Sequence, residues 1–285
     1  MASATLTEPF LLSSQIATLD YVSRGRAGWQ LDVSTDPGAG RLVGPRTIPA
    51  GAELYREAID HVEVVRRLWD SWDDDAEIRD SATHRFIDRR RVHYIDFEGA
   101  DFSVKGPSIT PRPPQAQPVI ATVVSDDATQ ALAVATADVA IITEPDGRAL
   151  TRRASAMRAS AQEAGRDPDG LLLFAEVDAV LDADERVASE RRSRLDAGPD
   201  PVPSSRGLPL TGTPSAAADQ LTAWAELGVD GFRLAPADLP LDLPAISAQL
   251  SGELRRRGVL RDAYEASTLR GLLGLRRPAS RYAAA

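Results

Sequence analysis

The sequence predicts an α/β fold in which a parallel sheet is covered by helices on its faces. Three observations carry that expectation. Strand-like runs alternate with helical segments over most of the chain. The runs in the second half are apolar almost throughout, as strands buried on both faces are. The 285 residues, with 43% hydrophobic and 26% charged, are enough for one large α/β domain or two small ones.

Residues 8–23 read as a helix with Phe10, Ser13, Ser14, Ala17 and Tyr21 on one face. Residues 27–33 set Trp29, Leu31 and Val33 against Gln30 and Asp32, the alternation of a half-buried strand. A Gly/Pro-rich loop runs to about residue 51. The clearest helix follows, with Tyr55, Ala58, Ile59, Val62, Val65, Trp69 and Trp72 on one stripe at helical spacing. Residues 73–91, acidic and then basic, read as an irregular surface excursion, and 93–104 as a hairpin turning at Glu98-Gly99. Strands are expected at 118–124, 139–143, 171–177 and 231–235, and helices at about 127–136, 147–164, 183–195, 214–227 and 243–257. Thr213, Pro214 and Gly228 punctuate the helix at 214 as cap, first residue and stop. That makes five strands, against eight for a (β/α)8 barrel and about six for a doubly wound sheet.

The totals exclude several function classes. A net charge of -9 argues against a general nucleic-acid or anionic-membrane partner, and Arg89–Arg91 and Arg255–Arg257 are too short to reverse it. Without cysteine there is no disulfide, thiolate metal site or cysteine nucleophile. No apolar run approaches the ~18 residues of a membrane span. The first eight residues carry neither a basic region nor a signal-peptide core, so the sequence predicts a cytoplasmic protein.

Motifs add little by themselves. Gly38-Ala39-Gly40 follows a strand, but the third glycine, Gly44, comes one place late for a dinucleotide loop, and prolines replace the expected helix. His61, His84 and His93 lack metal-binding spacing, and His61 reads as a helix-surface residue. Asp70, Asp73, Asp74 and Asp75 lack the alternation and glycine of a calcium loop.

Several stretches, taken together and in order, are more specific. They are Glu8-Pro9-Phe10, Ala17-Thr18-Leu19-Asp20-Tyr21 through Gly25-Arg26-Ala27-Gly28-Trp29, and Val62 to Trp72. Ile95-Asp96-Phe97-Glu98-Gly99, Pro111-Arg112-Pro113-Pro114-Gln115, Gly212-Thr213-Pro214, Asp230-Gly231-Phe232 and Thr268 to Leu275 continue the series. This chain resembles the luciferase-like flavin-dependent monooxygenases, in the branch of the nitrilotriacetate and dibenzothiophene-sulfone monooxygenases. The resemblance implies a TIM-barrel type of (β/α)8 fold lacking its first three strand–helix units, with Thr5 at the end of the third strand. On that reading residues 1–285 are a single partial barrel, with an excursion over about 73–115 and a loop over about 197–212.

The resemblance further implies reduced flavin mononucleotide (FMN), supplied by a separate flavin reductase, that uses O2 to oxidise a small organic substrate. Carried over by position, the flavin-contacting residues are Thr5, Gln30, Ser34 and Tyr55, with Gly51 where the family has a histidine. The family's phosphate loop falls on Val124-Ser125-Asp126-Asp127-Ala128-Thr129, so Ser125 and Asp126 stand at the phosphate. Its glycines are absent, and Asp126 replaces the serine. No residue is assigned as a catalytic acid or base and none to a metal. The resemblance allows a homo- or heterodimer. Two other readings accompany it: a non-catalytic homologue that pairs with an active subunit, and an oxidoreductase using a deazaflavin.

Overall fold

The computed structural model describes residues 1–44, 47–167, 170–198 and 207–283. The chain divides into two units: Met1–Thr122 with Ala135–Asp138 and Glu265–Ala285, and Val123–Val134 with Val139–Tyr264.

In the first unit, strand β1 (Ala2–Ser3) runs parallel to β2 (Gly28–Asp32). On its other edge β2 pairs in parallel with β7 (Val119–Val124), from Gly28 opposite Val119 to Leu31 opposite Thr122. Helix α1 (Pro9–Ser23) starts with proline at its first position and ends at Arg24 in the left-handed region (φ 56°). Its buried face is Pro9, Leu12, Ser13, Ala17 and Asp20. Tyr21, expected on that face, is 45% exposed. The face turns towards Asp20 because that carboxylate is fully used: it accepts from the N–H groups of Ala27 (3.2 Å) and Gln115 (3.0 Å) and from Gln115 Nε2 (2.6 Å).

The expected loop after β2 contains a short helix, α2 (Pro37–Leu42), whose first turn is fixed by Gly38 N–H donating to Asp36 at 2.7 Å. Helix α3 (Ala52–Asp70) buries Leu54, Glu57, Ala58, His61, Val62, Val64, Val65, Leu68 and Trp69. His61 is thus a core residue at 2% exposure and not a surface one, beside Trp29 at 5.7 Å between ring centres. The stripe read from apolar residues alone was too narrow. The excursion after α3 holds two hairpins, β3 (Glu77–Asp80) with β4 (Arg85–Ile87) and β5 (Phe97–Glu98) with β6 (Ser103–Val104). Glu98 still pairs with Ser103, so the turn lies beyond Gly99 and not at Glu98-Gly99.

The second unit is built on β9 (Leu172–Leu181). Strand β8 (Val139–Ile142) pairs with its first part, β10 (Leu208–Gly212) with its last, and β11 (Gly231–Pro236) with residues 174–179, all in parallel. Phe174 and Ala175 partner both β8 and β11, while Val177, Asp178 and Ala179 partner both β10 and β11. A strand has two edges, so β8 and β10 follow one another along one edge and β11 takes the other. Strand β10 lies where the sequence led to a loop over 197–212; residues 199–206 of that stretch are outside the described residues. Helices α4 (Asp127–Thr136), α5 (Gly147–Glu163), α6 (Glu185–Asp196) and α7 (Pro214–Ala225) follow the strands. The single helix expected over 243–257 is three segments: α8 (Leu239–Pro244), a π-helical turn (Ala245–Leu250) and α9 (Ser251–Arg256). Pro244 interrupts the hydrogen-bond ladder where they meet.

Candidate functional site

In parallel strands all C-terminal ends point one way, and the loops leaving those ends are where α/β sheets offer polar groups to a ligand. In the first unit, Thr5 lies just past the end of β1 and Ser34 just past the end of β2. The structure brings them together: Ser34 N–H donates to Thr5 Oγ1 at 3.2 Å, with Thr5 buried and Ser34 half-buried. Ser34 Oγ in turn accepts from Asp36 N–H at 3.4 Å. Gln30 is half-buried on β2, and its Nε2 reaches Met1 Sδ at 3.6 Å. Tyr55 is half-buried in the first turn of α3.

Gly51, where the resemblance implies a histidine, is the residue before α3 and has φ 59° and ψ -134°. A residue with a Cβ reaches that region only with strain, whereas glycine does so freely. A histidine at this position would have to take up that strained conformation or shift the helix start.

A cavity of about 380 Å3 in the same unit is lined by Thr7, Glu8, Glu57, His61, Asp101 and Phe102, among others. It brings forward Glu57 and His61, one turn apart on α3 and both buried. Their signal was hidden because both polar residues sit within the apolar stripe. A larger cavity of about 690 Å3 is lined by charged groups engaged with one another. His93 Nε2 lies 3.0 Å from Asp73 Oδ1 and its ring stacks on Tyr282 at 4.8 Å; Arg277 pairs with Asp74 at 2.6 Å. Among the described residues no group of three or more His, Cys, Asp or Glu side chains is arranged to hold a metal ion, and no helix is long and apolar enough to cross a membrane.

In the second unit, Ser125 and Asp126 leave the end of β7 and lead into α4. Asp126 caps that helix: Thr129 N–H donates to Asp126 Oδ1 at 2.8 Å. The arrangement is reciprocal, because Asp126 N–H and Ser125 N–H both donate to Thr129 Oγ1 at 3.0 Å. The Thr129 hydroxyl donates to Asp126 Oδ1 at 2.8 Å. Hydrogen bonds from Thr129, first its backbone N–H and then its hydroxyl, hold the Asp126 carboxyl below the usual aspartate range. The positive end of α4 thus already has its anion. The amides of Ser125 and Asp126, which would have to face a phosphate, are taken by Thr129. These residues do not fit the phosphate that the resemblance implies.

Comparisons with known proteins bear on the same question. The model of the luciferase-like monooxygenase family matches residues 1–206. The chain belongs to that family. N-acetyl-S-(2-succino)cysteine monooxygenase of Bacillus subtilis (strain 168) is 30% identical over 99% of this chain and 78% of its own length. Nitrilotriacetate monooxygenase component A of Aminobacter aminovorans is 28% identical over 97% and 75%. The crystal structure of a long-chain alkane monooxygenase superposes with a TM-score of 0.87 at 25% identity, over 96% of this chain and 72% of that one. The fold is the α/β barrel type of the luciferase-like monooxygenases. This chain spans about three quarters of the length of these relatives.

Proposed function

We propose that this luciferase-like monooxygenase chain is an oxidoreductase that oxidises a small organic compound with O2 and a reduced flavin delivered by a separate flavin reductase. The observation that carries the reading is similarity over nearly the whole chain to monooxygenases that differ in substrate. The relative named as component A of its system supports a separate source of reduced flavin. What this chain contributes is polar groups at strand ends, among them the tied pair Thr5 and Ser34. The substrate class stays at small organic compounds, because the relatives' named substrates share no single chemistry.

The test is oxygen incorporation. The purified chain, a flavin reductase with NADH, and a panel including N-acetyl-S-(2-succino)cysteine and nitrilotriacetate are incubated under 18O2. A product carrying one 18O atom that requires the chain is the expected result. Unchanged substrates, with all the reductant lost to uncoupled oxygen reduction, would count against the reading. Two features favour a second reading, a non-catalytic homologue that pairs with an active subunit: Asp126 and Thr129 close the loop after β7, and Gly51 stands where the resemblance implies a histidine. That reading expects no flavin binding by the chain alone and a stable complex with a related chain.

A further inference from the structure

The loop after β7 is satisfied from within. Thr129 Oγ1 accepts from two successive backbone N–H groups and Asp126 Oδ1 accepts from Thr129 twice, so no donor in this set is left for an incoming anion. The surrounding charge points the same way. Arg153 is a cation whose charge reaches Asp126, and it is already bound to Asp127 (2.8 Å) and Glu144 (3.0 Å). Two of the three carboxylates, Asp126 just before α4 and Asp127 at its first position, are exposed, so the balance beside the helix start is negative. A phosphate here would have to displace Asp126 from its cap or lie beside its charge. In a solvated setting two unit charges at ~4 Å repel by ~1 kcal/mol, and a doubly charged phosphate by correspondingly more.

We propose that Asp126, locked by Thr129, makes this chain discriminate against the phosphorylated form of its flavin, so that riboflavin binds at least as tightly as FMN. The proposal rests on the flavin reading above. It assigns to Asp126 a role in specificity: the carboxylate stands where a phosphate would need donors.

The experiment measures dissociation constants of riboflavin and FMN by titration calorimetry on the full chain and two variants. Asp126→Asn keeps a capping side chain but removes the charge; Asp126→Gly removes the side chain and frees the Thr129 N–H and hydroxyl that it holds. Expected is a ratio Kd(FMN)/Kd(riboflavin) of one or more in the wild type. It should fall ~3- to 10-fold in Asp126→Asn and further in Asp126→Gly, a factor of ten corresponding to ~1.4 kcal/mol. FMN bound tenfold or more tightly than riboflavin by the wild type would overturn the proposal while leaving the flavin reading standing. So would a ratio unmoved in both variants. Failure of all three proteins to bind either flavin would overturn both. The two ligands share the ring and the ribityl chain, so a general loss of folding weakens both and leaves the ratio unchanged.

Discussion

Each unit sets buried ion pairs against another kind of feature, and Asp138 of the first differs most instructively from the apolar strands and exposed helix caps of the second. In the first, buried polar groups join residues far apart in the sequence. Asp138 accepts from Ile120 N–H at 2.8 Å and pairs with Arg66 at 3.2 Å and Arg270 at 3.0 Å. Buried Arg112 pairs with Asp70 at 2.8 Å, and Asp20 gathers Ala27 and Gln115. The second has buried pairs as well, Arg191 with Asp242 at 3.0 Å and Arg192 with Asp178 at 2.7 Å, beside the apolar Val139, Ala140, Ile141, Ile142, Leu173, Ala175, Val177 and Ala179 of β8 and β9, while the carboxylates that cap α4, α5 and α6 lie towards solvent. Apolar burial is forgiving in its partner, whereas a buried charge must find its own counterpart. A change at a buried charge such as Asp138 should therefore cost more than a change at an exposed helix cap of the second unit.

The largest expected effect follows directly. Asp138→Ala leaves two guanidiniums without their shared carboxylate in a buried site, which should cost about 4 kcal/mol in urea denaturation. Leu173→Ala, in the second unit at full burial, should cost about 3 kcal/mol by leaving a cavity. If Leu173→Ala proves clearly the costlier of the two, the contrast between buried charge and apolar strand is reversed.

That contrast also explains what the sequence could say. The strands at 119–124 and 139–142 were legible because consecutive apolar residues need no partner to be recognised. Strand β10 was missed because only Leu208 and Leu210 point inward and Pro209 lies between them. The turn of α1 onto Asp20 was invisible, since Gln115 is 95 residues away. At the site, resemblance picked out Thr5 and Ser34, and the structure joins them. The same resemblance picked out Ser125 and Asp126 as phosphate contacts, yet Asp126-x-x-Thr129 was already a reciprocal cap in the sequence and went unread.

Acid should separate the units next. Asp138 is pulled in two directions: burial raises its pKa, but Arg66, Arg270 and the Ile120 N–H together hold it below the usual aspartate value. Glu63 likewise stays low against its burial, through hydrogen bonds from Arg281 and Arg67, and Asp74 is lowered chiefly by its hydrogen bond from Arg277. A carboxylate whose folded pKa is depressed contributes stability that is fully present above its unfolded value, about 4, and is lost as pH falls through the folded value. Trp29, Trp69 and Trp72 all lie in the first unit, so tryptophan fluorescence reports mainly on it. Its urea midpoint should fall steadily from about pH 5 to pH 3. In Asp138→Asn the midpoint should start lower and vary less over that range. An Asp138→Asn slope equal to the wild-type slope would remove Asp138 from the account.

The smallest effect is expected where a charge is present but not buried. Asp184 caps α6 by accepting from Arg186 N–H at 2.8 Å and Val187 N–H at 3.3 Å, and the residue itself is exposed. Water can replace those bonds in part when the carboxylate is removed, and no counter-charge is stranded inside the unit. Asp184→Ala should therefore cost about 1 kcal/mol, and Asp184→Asn, which can still accept from both amides, only a few tenths. Denaturation of the two variants beside Asp138→Ala compares one residue type in two settings, one exposed at a helix end and the other buried between two arginines. If Asp184→Ala cost as much as Asp138→Ala, the capping carboxylates of the second unit would be as critical as the buried ones of the first. The distinction between a polar interior and a polar rim would then have to be given up.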